Sequence, residues 1–176
     1  LMQRLFFCRV ISCCAAIALL VAGAVQPDRA AADCVRTELD NPPRQSFACT
    51  SDFAMEREPT ASLKIIERAG DAPPRAIELQ NGAILIDVVP GSRSTQIRTP
   101  EAIAAVRGTV YIVDSRDGET SVFVLEGQVT VTRPGDSSVI AQVNAGEGAD
   151  VTAETGISVS RWPDRRAAAL LARFGR

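Results

Sequence analysis

Histidine is absent from this 176-residue chain, lysine occurs once, at Lys64, and tyrosine once, at Tyr111. The missing imidazole removes histidine-based triads, histidine metal sites and most general-base chemistry near neutral pH. Neither Gly-x-Ser-x-Gly nor Gly-x-x-x-x-Gly-Lys occurs, so there is no nucleophile elbow and no phosphate-cradling loop. No repeat of about 20–50 residues marks a long solenoid. No uncharged apolar run reaches the ~20 residues that a membrane-spanning helix prefers. The composition that remains, 46% hydrophobic and 23% charged, is that of one soluble domain with an export signal in front of it.

That signal is read at the N-terminus. Arg4 and Arg9 precede an uncharged apolar run over 10–25, and Ala30, Ala31 and Ala32 come just before Asp33. These are the n-region, h-region and small-residue cut of a secretory signal peptide, with cleavage predicted between Ala32 and Asp33. The run is short for a span, so no stable membrane segment is expected after cleavage; the alternative is an uncleaved signal anchor with the domain still exported. Cys34 follows the cut closely, but Asp33 stands where a lipobox needs a small residue, so lipidation is not expected.

Removing residues 1–32 takes away Arg4, Arg9, Arg29 and Asp28 and leaves sixteen basic and twenty acidic side chains, a formal charge of −4. Such a surface does not attract polyphosphate, which argues against nucleic acid as a partner. Cys8, Cys13 and Cys14 leave with the signal. Cys34 and Cys49 remain as an even pair in an exported chain and are read as a disulfide. Closing a loop of about fifteen residues is worth roughly 3 kcal/mol on the chain-entropy model. A redox pair or half a metal site fits less well, because the spacing is not Cys-x-x-Cys and no histidine completes a ligand set.

Between those cysteines, Pro42 and Pro43 preclude regular helix, and 33–62 reads as a stapled N-terminal lead-in. From Leu63 onward apolar and polar residues alternate with period two: Ile77 and Leu79, Val110 and Ile112, Val122 and Val124, Val129 and Val131. Asn81-Gly82 lies between the runs 77–80 and 83–89 and predicts a type I′ hairpin. Pro90-Gly91, Asp117-Gly118, Pro134-Gly135 and Ala145-Gly146-Glu147-Gly148 supply further turns. Short strands at intervals of about ten residues predict an all-β fold, a two-sheet sandwich or roll of short, mostly antiparallel strands, over 63–160. The runs 83–89 and 121–125 are nearly continuous in apolar residues, which predicts strands covered on both faces. After Trp162, Pro163 and the alanine- and leucine-rich tail predict a short C-terminal helix within 161–176. Its stripe of Ala167, Leu170, Leu171 and Phe174 should dock on the sheet.

Three local patterns could carry function. Arg107-Gly108-Thr109 joins the apolar runs 102–106 and 110–113; it offers an arginine and bare backbone to an anion, or simply a bend with Arg107 paired to a carboxylate. Glu126-Gly127 ends one run and starts the next, and reads as a turn. Gly146-Glu147-Gly148-Ala149-Asp150 brings two carboxylates near flexible backbone, but calcium wants six to eight oxygens and no EF-hand loop accompanies them. Paired acids across a cleft would suit glycoside hydrolysis, a distance that sequence does not set. No catalytic, cofactor-binding or metal-binding residue is assigned.

The stretch 79–152 resembles the FecR domain, the periplasmic module named after regulators of iron-citrate uptake in Gram-negative bacteria. The resemblance is carried in order by Leu79 and Gly82; Thr99-Pro100 with Ala102; Val106-Arg107-Gly108-Thr109 followed by Tyr111 and Val113; Thr120-Ser121-Val122; Leu125-Glu126-Gly127 and Val129; and Gly146-Glu147. The whole chain is similar to small exported FecR-domain proteins of alphaproteobacteria. The resemblance implies a β-rich, non-catalytic module that recognises a partner protein or envelope component; with the export signal this places the domain in the periplasm, an envelope or secreted protein is the expected partner, and no cofactor is assigned. The founding regulators place a helical anti-sigma segment before their membrane helix. Here about nine residues precede the apolar run, so direct transmembrane control of transcription is not expected. Two other functions stay open on sequence: a carbohydrate-binding or carbohydrate-active β-domain, and a structural companion of a secreted or surface assembly.

Overall fold

Period-two alternation leaves each strand one apolar face, and such faces are buried by stacking layers. The computed structural model describes residues 34–66 and 76–176, which form thirteen strands and one helix. The signal segment, the Ala32/Asp33 cut and the anchor alternative lie outside the described residues. In chain order the strands are β1 (Val35–Leu39), β2 (Arg44–Thr50), β3 (Phe53–Arg57), β4 (Ser62–Ile66), β5 (Ala76–Val88), β6 (Thr95–Arg98) and β7 (Ile103–Val106). There follow β8 (Val110–Arg116), β9 (Glu119–Glu126), β10 (Gln128–Arg133), β11 (Asp136–Asn144), β12 (Glu147–Thr152), β13 (Gly156–Arg161) and the helix α1 (Asp164–Ala172).

The strands make one continuous sheet folded over on itself into two layers, nearly a barrel. One layer runs β1-β2-β3-β5-β8-β9-β12-β13. The other runs β4-β5-β6-β7-β10-β11. Among the described residues every pairing is antiparallel except β5 with β6. This is the two-sheet, mostly antiparallel architecture that the alternation predicts.

The shared strand β5 is the fold's pivot, and it corrects one expectation. Asn81-Gly82, a hairpin turn by sequence, lies inside β5. Residues 76–81 pair with β4 and, over 76–78, with β6, whereas 82–87 pair with β8 in the other layer. The segments on either side of the dipeptide therefore have different partners and never meet each other. Gly82, at φ 84°, bends the strand from one layer into the other.

Ile77, Leu79, Ile84, Ile86, Val113, Val124, Val129 and Val131 fill the space between the layers. On the far side of the first layer, Ala83, Leu85, Ile112 and Phe123 are covered by Trp162, Leu170 and Phe174, with Ala167 and Leu171 alongside. Strands β5 and β9 are thus buried on both faces, which is why their sequences are nearly unbroken in apolar residues. The predicted helix forms and docks by the predicted stripe, with Pro163 just ahead of its first turn. Fully burying Leu170 or Phe174 stabilises the dock by roughly 2 kcal/mol each.

The lead-in carries more structure than its composition signals. β1, β2 and β3 extend the first layer beyond β5, and Pro42 and Pro43 occupy the turn between β1 and β2. Cys34 and Cys49 are joined in a disulfide that ties the start of β1 to β2.

Candidate functional site

Four glycines of the sequence pattern stand where the chain passes between layers: Gly82 within β5, Gly108 between β7 and β8, Gly127 between β9 and β10, and Gly146 between β11 and β12. The last three form corners at one end of the sandwich. Gly108 has φ 71°, and a Cβ there would stand 2.5 Å from Pro90 Cα. Gly127 backs onto it, with a would-be Cβ 2.8 Å from the Gly108 carbonyl oxygen. No side chain fits between these two backbones. Thr109 ties the corners together: its hydroxyl donates to the Gln128 carbonyl at 3.0 Å, and its carbonyl accepts from the Val88 amide at 3.1 Å. At the third corner the Glu147 carboxylate accepts from the Asn144 amide and side chain, both at 2.9 Å. Those bonds hold the Glu147 carboxyl below its ordinary range.

Thr99 and Pro100 sit at the opposite end. The Thr99 hydroxyl oxygen accepts from the Ala102 amide at 2.8 Å and lies 2.7 Å from the Thr120 hydroxyl of β9, closing the turn between β6 and β7 over the core. A threonine that hydrogen-bonds its own turn, with proline next in line, favours that geometry.

Arg107 is exposed at the corner end and makes no hydrogen bond or ion pair among the described residues. The carboxylate partner weighed from sequence is not there. Its side chain borders a cleft of about 490 Å³ with Ser94, Ala105, Gly108, Gly127, Gln128 and Thr130. The structure thus gathers Arg107, Gly108, Thr109, Glu126 and Gly127 at one end, with Gly146 and Glu147 at the neighbouring corner. It separates them from Gly82, Thr99 and Pro100; the disulfide of Cys34 and Cys49 lies further along the first layer, where β2 pairs with Phe53 and Phe53 with Val88.

A second groove, of about 230 Å³, runs beside α1 and is bordered by Asp114, Ser121, Trp162, Arg166, Leu170 and Arg173. Its acids are engaged. Arg173 donates to both carboxylate oxygens of Glu58, at 2.6 and 2.7 Å, and also to Asp114. Arg166 grips both oxygens of Asp150 at 2.7 and 2.6 Å. The bonds to Glu58 and Asp114 push the Arg173 guanidinium above its already high range. Trp162 is 5% exposed, stacked on Phe123 at 5.1 Å and capped by the Arg166 guanidinium at 3.6 Å from its ring centre. Sequence gave no sign of this network, because Glu58 and Asp114 stand far from Arg173 along the chain.

Of the two acids weighed as calcium ligands, Asp150 has both oxygens held by Arg166 and Glu147 has one engaged by Asn144, and the described residues contain no cluster of three metal-ligating side chains. Tyr111 is fully buried in the core with its hydroxyl unpaired, and burial pushes its phenol above the ordinary value.

These features define a two-layer β domain whose distinctive residues build corners and end-turns. Residues 58–130 match the family model described as FecR protein. The match begins before Leu79, taking in Glu58 and β4, and ends before Gly146-Glu147. No curated protein matches the chain at a significant level. Two solved structures of a "putative anti-sigma factor" from Parabacteroides distasonis, at 1.65 and 2.50 Å resolution, share the fold with TM-scores of 0.57 and 0.50 at 18% and 19% identity. Each comparison covers 79% of this chain and 61% of that one, so the chain spans about three fifths of those proteins' length.

Proposed function

We propose that this chain is a non-catalytic signalling module that works in the periplasm by binding an envelope or secreted protein. The observation that carries the proposal is the FecR match over 58–130. Its pattern residues form corners and a capped turn, and beside α1 the acids are already committed to arginines. What the domain presents outward is contact surface, with unpaired Arg107 beside its cleft as a natural meeting point for a partner carboxylate. A carbohydrate site beside α1 has less support, since a sugar would need the ring face of Trp162 that Arg166 covers.

Two measurements test this. A C-terminal alkaline phosphatase fusion of the full chain should be active in cells, and an inactive fusion removes the export. Photo-crosslinking from position 107 in intact cells should trap one reproducible protein, which the charge reversal Arg107→Glu releases. A pattern with no defined product, or a product indifferent to that reversal, removes this region as the binding surface.

A further inference from the structure

β1 rests on little besides its neighbour. Val35 is 67% exposed, Arg36, Thr37 and Glu38 are exposed whichever face of the strand they occupy, and Leu39 is half-buried. The strand pairs with β2 alone, over five residues. A side-chain bond that reaches β2, from Gln45 to the Glu38 carboxylate at 3.0 Å, lies at the exposed surface, where water competes for it. A short two-stranded ladder without a buried apolar face is marginal in water. One step beyond the pair of Val35 and Ala48, Cys34 stands opposite Cys49, and their sulfurs are bonded. The turn at the other end of β1 is fixed too: the Arg44 guanidinium donates to the carbonyls of Asp40 and Pro42 at 3.3 and 3.0 Å and to the Glu56 carboxylate at 2.6 Å. β2 is of the opposite kind. It is also paired with β3, packs Phe47 against the core, buries Cys49, and is uncharged over 45–49. Native sheets protect such a strand by putting charge at the margin, and here Arg36 and Glu38 of β1 supply it.

We propose that β1 is a redox-released flap. With the bridge closed it covers the edge of β2; with the bridge opened it swings out about the turn that Arg44 holds, while the rest of the domain stays folded. The bridge decides this because what remains of the attachment of β1 is one marginal ladder, whereas β2 is tied to β3 and to the core as well. Access is from the side of Cys34, which is half-buried, Cys49 being 7% exposed. Opening takes two electrons, and a dithiol supplies them. One of its thiolates attacks a sulfur of the bridge, forms a mixed disulfide and expels the other cysteine as a thiolate. Its second thiolate then attacks the dithiol's own sulfur in that mixed disulfide, which closes the dithiol into a disulfide and expels the remaining cysteine. The two protons that the dithiol gives up leave Cys34 and Cys49 as thiols. The proposal stands independently of any envelope partner.

Amide hydrogen exchange on protein purified from cells expressing the full chain, with and without a dithiol, tests this. In the reduced protein the amides of 35–39 should exchange about a hundredfold faster, the factor that closing a loop of about fifteen residues is worth on the chain-entropy model. Protection over 83–88 and 110–116, in the middle of the first layer, should stay as it was. Alkylation of both cysteines in the same sample verifies that the bridge is open. The double variant Cys34→Ala with Cys49→Ala should give the same pattern with no dithiol present, and the reduced protein decides alone if that variant fails to fold. Protection of 35–39 that survives the opening overturns the proposal. So does loss of protection over 83–88 and 110–116 together with β1, which would make the bridge a stabiliser of the whole domain.

Discussion

Gly118 and Gly108 hold similar backbone conformations, φ 77° and 71°, at two different kinds of turn. Gly118 is the tip of the β8–β9 hairpin, and a Cβ placed on it would meet nothing within 4 Å. Gly108 is a corner between layers, and the same Cβ would run into Pro90. At the tip glycine answers to local torsion alone. At the corner it answers also to a second piece of backbone, delivered by residues far away in the chain. The residues that carry the FecR resemblance include Gly82, Gly108, Gly127 and Gly146, where the chain passes between layers, and omit the hairpin glycines Gly118 and Gly135.

The comparison can be tested by substitution, beginning where both demands act. Gly108→Ala combines a left-handed residue with a backbone collision and should cost about 3 kcal/mol in urea unfolding. A loss no larger than that of Gly118→Ala would erase the distinction. Gly148→Ala isolates collision, since a side chain there would strike the ring of Trp162 without any demand for positive φ. It should cost about 2 kcal/mol and shift the emission of the chain's one tryptophan to the red. Gly118→Ala isolates torsion and should cost about 1 kcal/mol, with the tryptophan spectrum unchanged.

The smallest effect is electrostatic. Glu147 at a corner and Asp136 after a hairpin both accept hydrogen bonds that lower their folded-state values. A lowered folded value means stability that is present above the unfolded value of about 4 and is lost as pH falls through the folded one. Glu147→Gln should therefore lower stability slightly at pH 7 and leave it almost unchanged at the acid end, which flattens the acid limb of a stability-against-pH curve.

Much of the fold is legible because it rests on short-range rules. The hairpin at Asp117-Gly118 needs two positive φ values, and the sequence supplies residues that tolerate them. The doubly covered strands and the stripe of α1 announce themselves by apolar content. Asn81-Gly82 meets the same hairpin rule and is nevertheless a bend, because its flanking segments find partners in opposite layers. The three strands of the lead-in were hidden for a related reason. β1 is an exposed edge strand, with the outermost positions of a half-covered sheet, and lacks the apolar alternation that reveals the others.

Sequence alone determined that this protein is all-β, which of its segments are buried on two faces, where its helix begins, and which two cysteines could be bridged. These follow from periodicity and backbone torsion, which act over a few residues. Tertiary structure alone decided which glycines are corners, that β5 serves both layers, and that Glu58, Asp114 and Arg173 share one network. Each depends on what a distant part of the chain places against a residue, and a bare Cα looks the same in sequence whether it faces water or Pro90.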